Sequence, residues 1–124
     1  MPVVRQRAVR KRVPRTRSAG TMTEAQFWAF LRSLLRYGVM RKWRPIGVVK
    51  RKARRAYHGS NRKRKWEYQC KKCRKWFADK EVQVDHIVPA GKLTSFEDLS
   101  GFARRLFCEA EGLQVLCKQC HLRK

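Results

Sequence analysis

Apolar side chains recur at helical spacing between residues 24 and 37. The residues that share this spacing are Phe27, Phe30, Leu31, Leu34 and Leu35. Intervals of three and four residues place these side chains on one face of a helix, and we expect that face to pack into a core. Thr21 or Thr23 can cap the helix, with Glu24 three residues after Thr21 as in a capping box, and Gly38 is placed to end it.

A second, strongly basic helix is predicted over residues 45–58. Arg44 precedes Pro45, which disfavours helix at Arg44 but allows Pro45 to open one. The crowded cations of this helix are Lys50, Arg51, Lys52, Arg54 and Arg55. Their mutual repulsion would destabilise an isolated helix unless phosphates neutralise it. A loop with four consecutive cations follows, and these are Arg62, Lys63, Arg64 and Lys65.

From Trp66 onward the spacing changes to that of strands. Trp66, Tyr68 and Cys70 alternate with polar residues, and short strands are also expected at 76–77, 82–86 and 113–117. A helix is predicted over residues 102–107 and a short one at the end of the sequence. The packing of Leu116 and Leu122 is expected to stabilise that last helix. The elements together predict an α+β fold.

The charge of the chain is large and unevenly spread. The sequence has 124 residues with 32 Lys or Arg and 9 Asp or Glu, a formal charge of +23. Residues 1–78 hold 25 basic and 2 acidic side chains, whereas residues 79–124 hold 7 of each. The length supports one domain of ordinary size. The charge favours a polyanionic partner, with a solvated basic surface or an anionic membrane as the alternatives.

The first 20 residues contain seven basic side chains, two prolines and no aromatic or acidic residue. Such a composition cannot bury enough surface to offset the entropy of ordering, so a disordered basic arm is predicted. An organelle transit peptide is the alternative. No apolar stretch reaches the roughly 20 residues of a bilayer span, and a secretory signal is lacking. We therefore expect a cytoplasmic protein without a membrane partner.

Four of the five cysteines form two Cys-x-x-Cys pairs. The pairs are Cys70 with Cys73 and Cys117 with Cys120. Two residues between thiolates suit a tetrahedral zinc ion, and a disulfide framework would leave an odd thiol. Structural Zn²⁺ is therefore predicted, and Cys108 is interpreted as a buried apolar residue.

Three further metal-ligand or acid–base residues lie between the two cysteine pairs or directly after the second pair. Asp85 and His86 end an alternating strand, and His121 directly follows Cys120. Since four thiolates saturate one zinc ion, these donors can hold a second cation. Neighbours on a strand point to opposite faces, so both could turn inward only if the strand breaks near residues 87–89.

These residues resemble those of the zinc-stapled HNH endonucleases. The resemblance rests on the order Cys-x-x-Cys, V-D-H-I-V-P and G-L-Q-V-L-C-x-x-C-H, and covers residues 66–124. It implies a ββα-metal nuclease domain there, preceded by a basic helical segment over 21–65 that grips DNA through the two groups of cations above. Small phage-encoded members are similar, which implies a host-cell cytoplasm and DNA packaging machinery as a partner.

The same resemblance implies site roles. Asp85 and His121 bind a catalytic divalent cation such as Mg²⁺ or Mn²⁺, and His86 is the general base that activates water. The expected products carry a 5′-phosphate and a 3′-hydroxyl. Where the family has an asparagine this chain has Gly112, whose ordinary role would be a turn of positive φ. Gln114 or a backbone carbonyl could orient His86 instead.

Two other functions keep part of this pattern. A non-catalytic zinc protein that binds nucleic acid would explain the charge and the cysteines, with its nuclease site degenerate at Gly112. A ribosome-associated basic zinc protein would bind RNA but leaves Asp85 and His86 unexplained. Sequence specificity, oligomeric state and the choice between nicking and double-strand cutting have no signal in the sequence.

Overall fold

A computed structural model describes residues 12–124, and it is a mixed α+β structure. The helices are α1 (Glu24–Lys42), α2 (Arg44–Lys52), α3 (Phe96–Leu106) and α4 (Lys118–Leu122). The strands are β1 (Arg54–Ala56), β2 (Trp66–Gln69), β3 (Trp76–Phe77), β4 (Val82–His86) and β5 (Leu113–Cys117). Short 3₁₀ turns at Asp79–Glu81 and Ala110–Gly112 precede β4 and β5. The predicted α+β class is confirmed, and the helices within the described range are too short or too polar to cross a membrane.

Helix α1 is longer than predicted and continues through Gly38. Of the two predicted caps, Thr23 is the one that forms, because its side chain accepts a hydrogen bond from the Gln26 amide at 3.2 Å. A glycine inside a helix costs only about 1 kcal/mol relative to alanine. Burial of Val39, which is 2% exposed, holds the next turn in place. The helix ends where Trp43 becomes extended, two residues before Pro45.

The predicted apolar stripe of α1 is only partly a core face. Phe27, Leu31 and Leu35 pack against the buried cluster, but Phe30 and Leu34 are 47% and 52% exposed. The buried members of this cluster come from α1, α3 and the segment between β4 and α3, and they are Trp28, Val39, Ala90, Leu93, Phe102 and Leu106. Helical spacing predicted which residues of α1 share a face. It could not predict how much of that face the neighbouring elements bury.

The second half of the predicted basic helix is a strand. Helix α2 ends at Lys52, and Arg54–Ala56 pair with β2 in antiparallel register, with Arg55 opposite Glu67. Lining up five cations on one helix is unfavourable, whereas pairing places Arg55 against a carboxylate. As a result, the pairing of β1 with β2 crosses the predicted segment boundary between residues 65 and 66.

The remaining strands lie where the alternation predicted them. Strands β1, β2 and β3 form one sheet, and β4 and β5 form a second with Asp85 opposite Gln114 and His86 opposite Leu113. The two sheets meet at a cluster in which Tyr68, Val82 and Val115 are buried. Val49 and Ala53, from α2 and its C-terminal end, pack on this cluster. The basic segment (residues 21–65) and the cysteine-containing segment (residues 66–124) therefore share a core.

Residues 12–20 of the predicted basic arm contact the fold at Arg17. Its guanidinium donates to the Glu24 carboxylate at 2.9 Å and lies over the rings of Phe27 and Phe96 at 4.9 and 5.2 Å. An isolated bridge pairs Arg17 with Met22. The first eleven residues of the predicted arm lie outside the described range.

Candidate metal centres and surrounding residues

Four cysteine thiols converge at the junction of three elements. Cys70 follows β2, Cys73 lies in the next turn, Cys117 ends β5, and Cys120 is in α4. Their four sulfur atoms all lie within 4.8 Å of one another, with Cys73 and Cys117 4.0 Å apart. Thiolates about 2.3 Å from a tetrahedral zinc ion lie roughly 3.8 Å apart. The donor set therefore fits a structural metal such as zinc, as the spacing predicted.

Backbone amides favour thiolate at one member of this cluster. Burial raises the pKa of Cys70, but hydrogen bonds from the backbone of Cys117, Cys73 and Lys72 outweigh burial and lower that pKa to about 6. Contact with Cys117 raises the pKa of Cys120 to about 12. Four adjacent thiolates repel one another, so full deprotonation of the cluster requires a bound cation.

Asp85 and His121 form a second, smaller donor pair. Asp85 Oδ1 lies 3.6 Å from His121 Nε2, and the Asp85 side chain is 13% exposed. Two ligands that each lie 2.0 to 2.2 Å from one divalent cation are separated by roughly 3 to 4 Å. The pair therefore fits a cation that keeps open coordination positions. Strand β4 supplies the carboxylate and helix α4 supplies the imidazole, and these are the two residues that the resemblance to HNH endonucleases implies as cation ligands.

Two polar neighbours hold the Asp85 carboxylate. Gln114 Nε2 donates to Oδ2 at 3.2 Å, and Lys124 Nζ donates to the same oxygen at 2.6 Å. Lys124 also donates to the backbone carbonyl of His86. Burial alone would raise the pKa of Asp85, but these hydrogen bonds and the charges of Lys124 and His121 lower it. Asp85 is thus kept ionised, as a cation ligand must be.

His86 lies beside Asp85 but makes a different contact. Its Nε2 lies 2.7 Å from the Leu106 carbonyl oxygen. A carbonyl only accepts hydrogen bonds, so Nε2 carries the proton and Nδ1 keeps a lone pair that can accept one. The carbonyl alternative for orienting His86 is therefore the one found, whereas Gln114 contacts Asp85. Sequence reasoning could not identify Leu106, because a backbone carbonyl leaves no residue-type signal.

The strand break predicted near residues 87–89 does not turn Asp85 and His86 toward one face. Regular pairing continues through His86, and the Ile87 amide donates to the Gly112 carbonyl at 2.9 Å. Asp85 and His86 consequently point to opposite faces of β4. The structure therefore does not bring the Asp85 carboxylate and the His86 imidazole to one face of the strand.

Gly112 is required for space rather than for backbone conformation. The glycines with positive φ among the described residues are Gly20 and Gly91, so the positive φ expected at Gly112 is wrong. A Cβ atom at Gly112 would lie only 2.9 Å from the Cys108 sulfur. Asparagine at this position would displace Cys108, which is half-buried rather than fully buried.

The side chain of Leu122, expected to support α4, is 82% exposed, whereas Leu116 is buried.

The predicted DNA-contacting cations differ in how far they are paired. Lys50 donates to the Asp79 carboxylate, and Arg55 and Arg64 both approach Glu67, at 2.6 and 3.9 Å. Within residues 12–124, the remaining predicted cations form no ion pair, and these are Arg51, Lys52, Arg54, Arg62, Lys63 and Lys65.

A basic cleft beside Asp85 was missed at the level of sequence. Lys71, Lys72 and Lys124 line a cleft of about 270 Å³ together with Gln114, the hydrogen-bond partner of Asp85. The Lys71 amide donates to the Val115 carbonyl at 2.8 Å, which holds the first cysteine turn against β5. The three ammonium groups make this cleft positively charged.

Comparison of the chain with protein-family models, with curated proteins and with solved structures finds no match.

Proposed function

We propose that this chain is a metal-dependent DNA endonuclease of the HNH kind that hydrolyses phosphodiester bonds. The observation that carries the proposal is the grouping of Asp85 and His121, 3.6 Å apart, with an adjacent His86 whose Nε2 is held by a carbonyl. The four-cysteine cluster keeps β5 and α4 together, and thereby supports the position of His121. A structural role alone does not account for this combination of donors.

The roles follow from the free atoms of each side chain. His86 Nδ1 accepts a proton from water as the water oxygen attacks phosphorus, and the bond to the 3′ oxygen breaks. The departing oxygen takes a proton from solvent, which leaves a 5′-phosphate and a 3′-hydroxyl. Asp85 and His121 would hold the divalent cation, whose chemistry is to neutralise charge on the phosphate and the leaving oxygen.

The cationic surfaces supply affinity in this proposal. Lys71 and Lys72 line the cleft beside Asp85, where the strand to be cut would lie. Each phosphate neutralised by a Lys or Arg releases counterions, so binding should weaken steeply as salt rises. By resemblance alone, the setting is the cytoplasm of a phage-infected cell, with the packaging machinery as a further partner.

The test is cleavage of supercoiled plasmid by the zinc-loaded protein with Mg²⁺, Mn²⁺ or Ni²⁺. His86→Ala should lower the rate on the order of 100-fold or more, as expected for loss of a general base. Gln83→Ala is the control, because it truncates an exposed side chain on the same strand, β4, outside the hairpin. EDTA at a dose that leaves the zinc bound should stop cleavage. Nicking that survives His86→Ala would refute the role of His86.

A second candidate function is a non-catalytic zinc protein that binds nucleic acid. Two observations favour it: Gly112 stands where the family has asparagine, and the Lys124 ammonium already neutralises Asp85. This candidate predicts duplex binding without cleavage in any of the three metals. Retained binding with no nicking would therefore replace the nuclease proposal.

A further inference from the structure

The hairpin of residues 54–69 is a two-stranded ribbon with a cationic tip. Strands β1 and β2 pair from Arg54 opposite Tyr68 to Ala56 opposite Trp66, and the Tyr57 amide extends the pairing by donating to the Lys65 carbonyl at 2.9 Å. The base of the ribbon is anchored because Tyr68 is buried in the core. From His58 to Lys63 every residue is exposed, so the tip faces solvent.

The loop of the hairpin has a defined internal structure. The Lys63 amide donates to the Asn61 side-chain oxygen at 3.1 Å, and the Arg64 amide donates to the Asn61 carbonyl at 3.1 Å. A Cβ atom at Gly59 would overlap the Tyr57 hydroxyl group, so the tyrosine ring occupies the space that the glycine leaves. These contacts preorganise the tip, which reduces the entropy lost when it binds a partner.

The arginines of the hairpin are stacked on aromatic rings. The guanidinium of Arg54 lies 3.9 Å from the centroid of Trp66, that of Arg55 3.7 Å from Trp76, and that of Arg64 4.2 Å from Tyr57. Stacking holds each guanidinium in place. Arg55 and Arg64 also contact the Glu67 carboxylate, whereas Arg54 forms no ion pair within residues 12–124, and its N–H groups can donate to phosphate.

Positive charge is present on both faces of the ribbon. Successive side chains on a strand point to opposite faces, so Arg54 and Arg55 lie on different sides. Residues 54–69 contain six Lys or Arg and one acidic residue, Glu67. Because Glu67 pairs with Arg55, the net positive charge comes from Arg54 on the other face and from the exposed cations of the tip, and a ribbon charged in this way suits a space lined by phosphates.

We propose, on the basis of the proposed action on DNA, that this hairpin enters the major groove of duplex DNA. The major groove of B-form DNA is about 12 Å wide and admits a two-stranded ribbon, whereas the minor groove at about 6 Å does not. The major groove of duplex RNA is too deep and narrow. Single strands are bound through stacking on aromatic rings, and guanidinium groups already cover one face of Trp66, Trp76 and Tyr57.

The first test measures the binding of the full zinc-loaded chain without added divalent cation. The probes are a 20-base-pair DNA duplex, an RNA duplex of the same sequence and the single DNA strand. We expect the DNA duplex to bind tightest, and methyl green, a major-groove ligand, to displace the protein where the minor-groove ligand netropsin does not. Equal affinity for duplex RNA, or displacement by netropsin alone, would overturn the hairpin proposal.

The second test removes charge from the tip. The triple variant Arg62→Gln, Lys63→Gln and Lys65→Gln should lower the slope of log affinity against log salt by roughly 2 to 3, and affinity near 0.1 M salt on the order of 100-fold. The control variant Lys80→Gln, Lys92→Gln and Lys118→Gln removes three exposed cations elsewhere. Zinc content and the thermal midpoint show that both variants fold.

The outcomes separate the two proposals. If the parent binds no duplex DNA, both the proposed function and the hairpin proposal fail. If the parent binds duplex DNA and the two triple variants weaken binding equally, only the hairpin proposal fails. If the tip variant alone loses affinity while the parent cleaves no plasmid, the hairpin proposal stands and the nuclease proposal fails.

Discussion

The hairpin and the Asp85 site differ in the sign of their charged groups and in how far those groups are exposed. In the hairpin, arginines are stacked on Trp66, Trp76 and Tyr57 and most of the cations remain exposed. At the site, a single half-buried carboxylate is contacted by Gln114, His121 and Lys124. Exposed charge attracts a polyanion over distances of about a Debye length, whereas partly buried charge selects a ligand by geometry. Under the proposed function, the hairpin would bind DNA and the Asp85 site would cleave it. The variants described next test whether these two roles can be separated.

The largest effect is expected from loss of the cysteine cluster. Cys117→Ser removes a thiol that joins β5 to α4, and structural zinc contributes folding free energy directly. We expect loss of the zinc, a lower thermal midpoint and no plasmid cleavage, measured by metal analysis, thermal unfolding and nicking assays. Cys108→Ser is the control, because Cys108 lies outside the cluster and should keep one zinc ion per chain. Full zinc content in Cys117→Ser would contradict the assigned ligand set.

A smaller and more selective effect is expected from Asp85→Asn. The amide is nearly the same size as the carboxylate but is a neutral and weaker cation ligand, so Mn²⁺ affinity and plasmid cleavage should fall on the order of 100-fold. Duplex binding should stay within about twofold of the parent, because the hairpin cations are unchanged. Isothermal titration with Mn²⁺ and a duplex-binding assay measure the two effects. If Asp85→Asn lost Mn²⁺ affinity and duplex affinity to the same degree, the cation site and the DNA-binding hairpin would not act separately.

The smallest effect is expected from Lys124→Gln. Removing the ammonium relieves its competition with a cation at Asp85, so Mn²⁺ affinity should rise several-fold. The pKa of Asp85 is lowered in the folded protein, so its interaction with Lys124 stabilises the fold fully above the ordinary carboxyl pKa of about 3.8 and is lost as the pH falls from there through the lower pKa of the folded protein.

The cost of Lys124→Gln to stability at pH 7 should therefore be less than about 1 kcal/mol and should vanish in acid. Urea unfolding at pH 7 and pH 3 measures it, with Lys118→Gln as a control on the same helix. A difference between parent and variant that is as large at pH 3 as at pH 7 would exclude the Asp85 contact as its source.

Local spacing predicted the strands and the metal-ligand positions well. Two cysteines with two residues between them can reach one ion whatever surrounds them. Side chains alternate between the two faces in any strand, so the alternation that ends at His86 predicts a strand. The end of α2 could not be predicted in this way. Whether Arg54 and Arg55 continue a helix or pair as a strand depends on the partner strand that begins at Trp66, which is distant in sequence.

The candidate site shows the same division at the level of single atoms. Residue types and spacing selected Asp85, His86 and His121 as candidates, because carboxylate and imidazole groups can bind a cation or accept a proton. The Leu106 carbonyl and the Lys124 ammonium could not be anticipated, since every residue has a carbonyl and lysine is abundant in this chain. Gly112 was expected to provide a positive φ, and the structure instead shows close contact with Cys108.

By itself, the sequence determined the α+β class, the four-cysteine cluster and the concentration of positive charge in residues 1–78, because composition and short spacing act locally. Tertiary structure decided that β1 joins the basic segment to the cysteine-containing segment, that Arg17 contacts the fold, and that His86 and Asp85 have different partners. Those outcomes depend on which distant backbone and side-chain atoms come within hydrogen-bonding distance, and packing of the whole chain determines that.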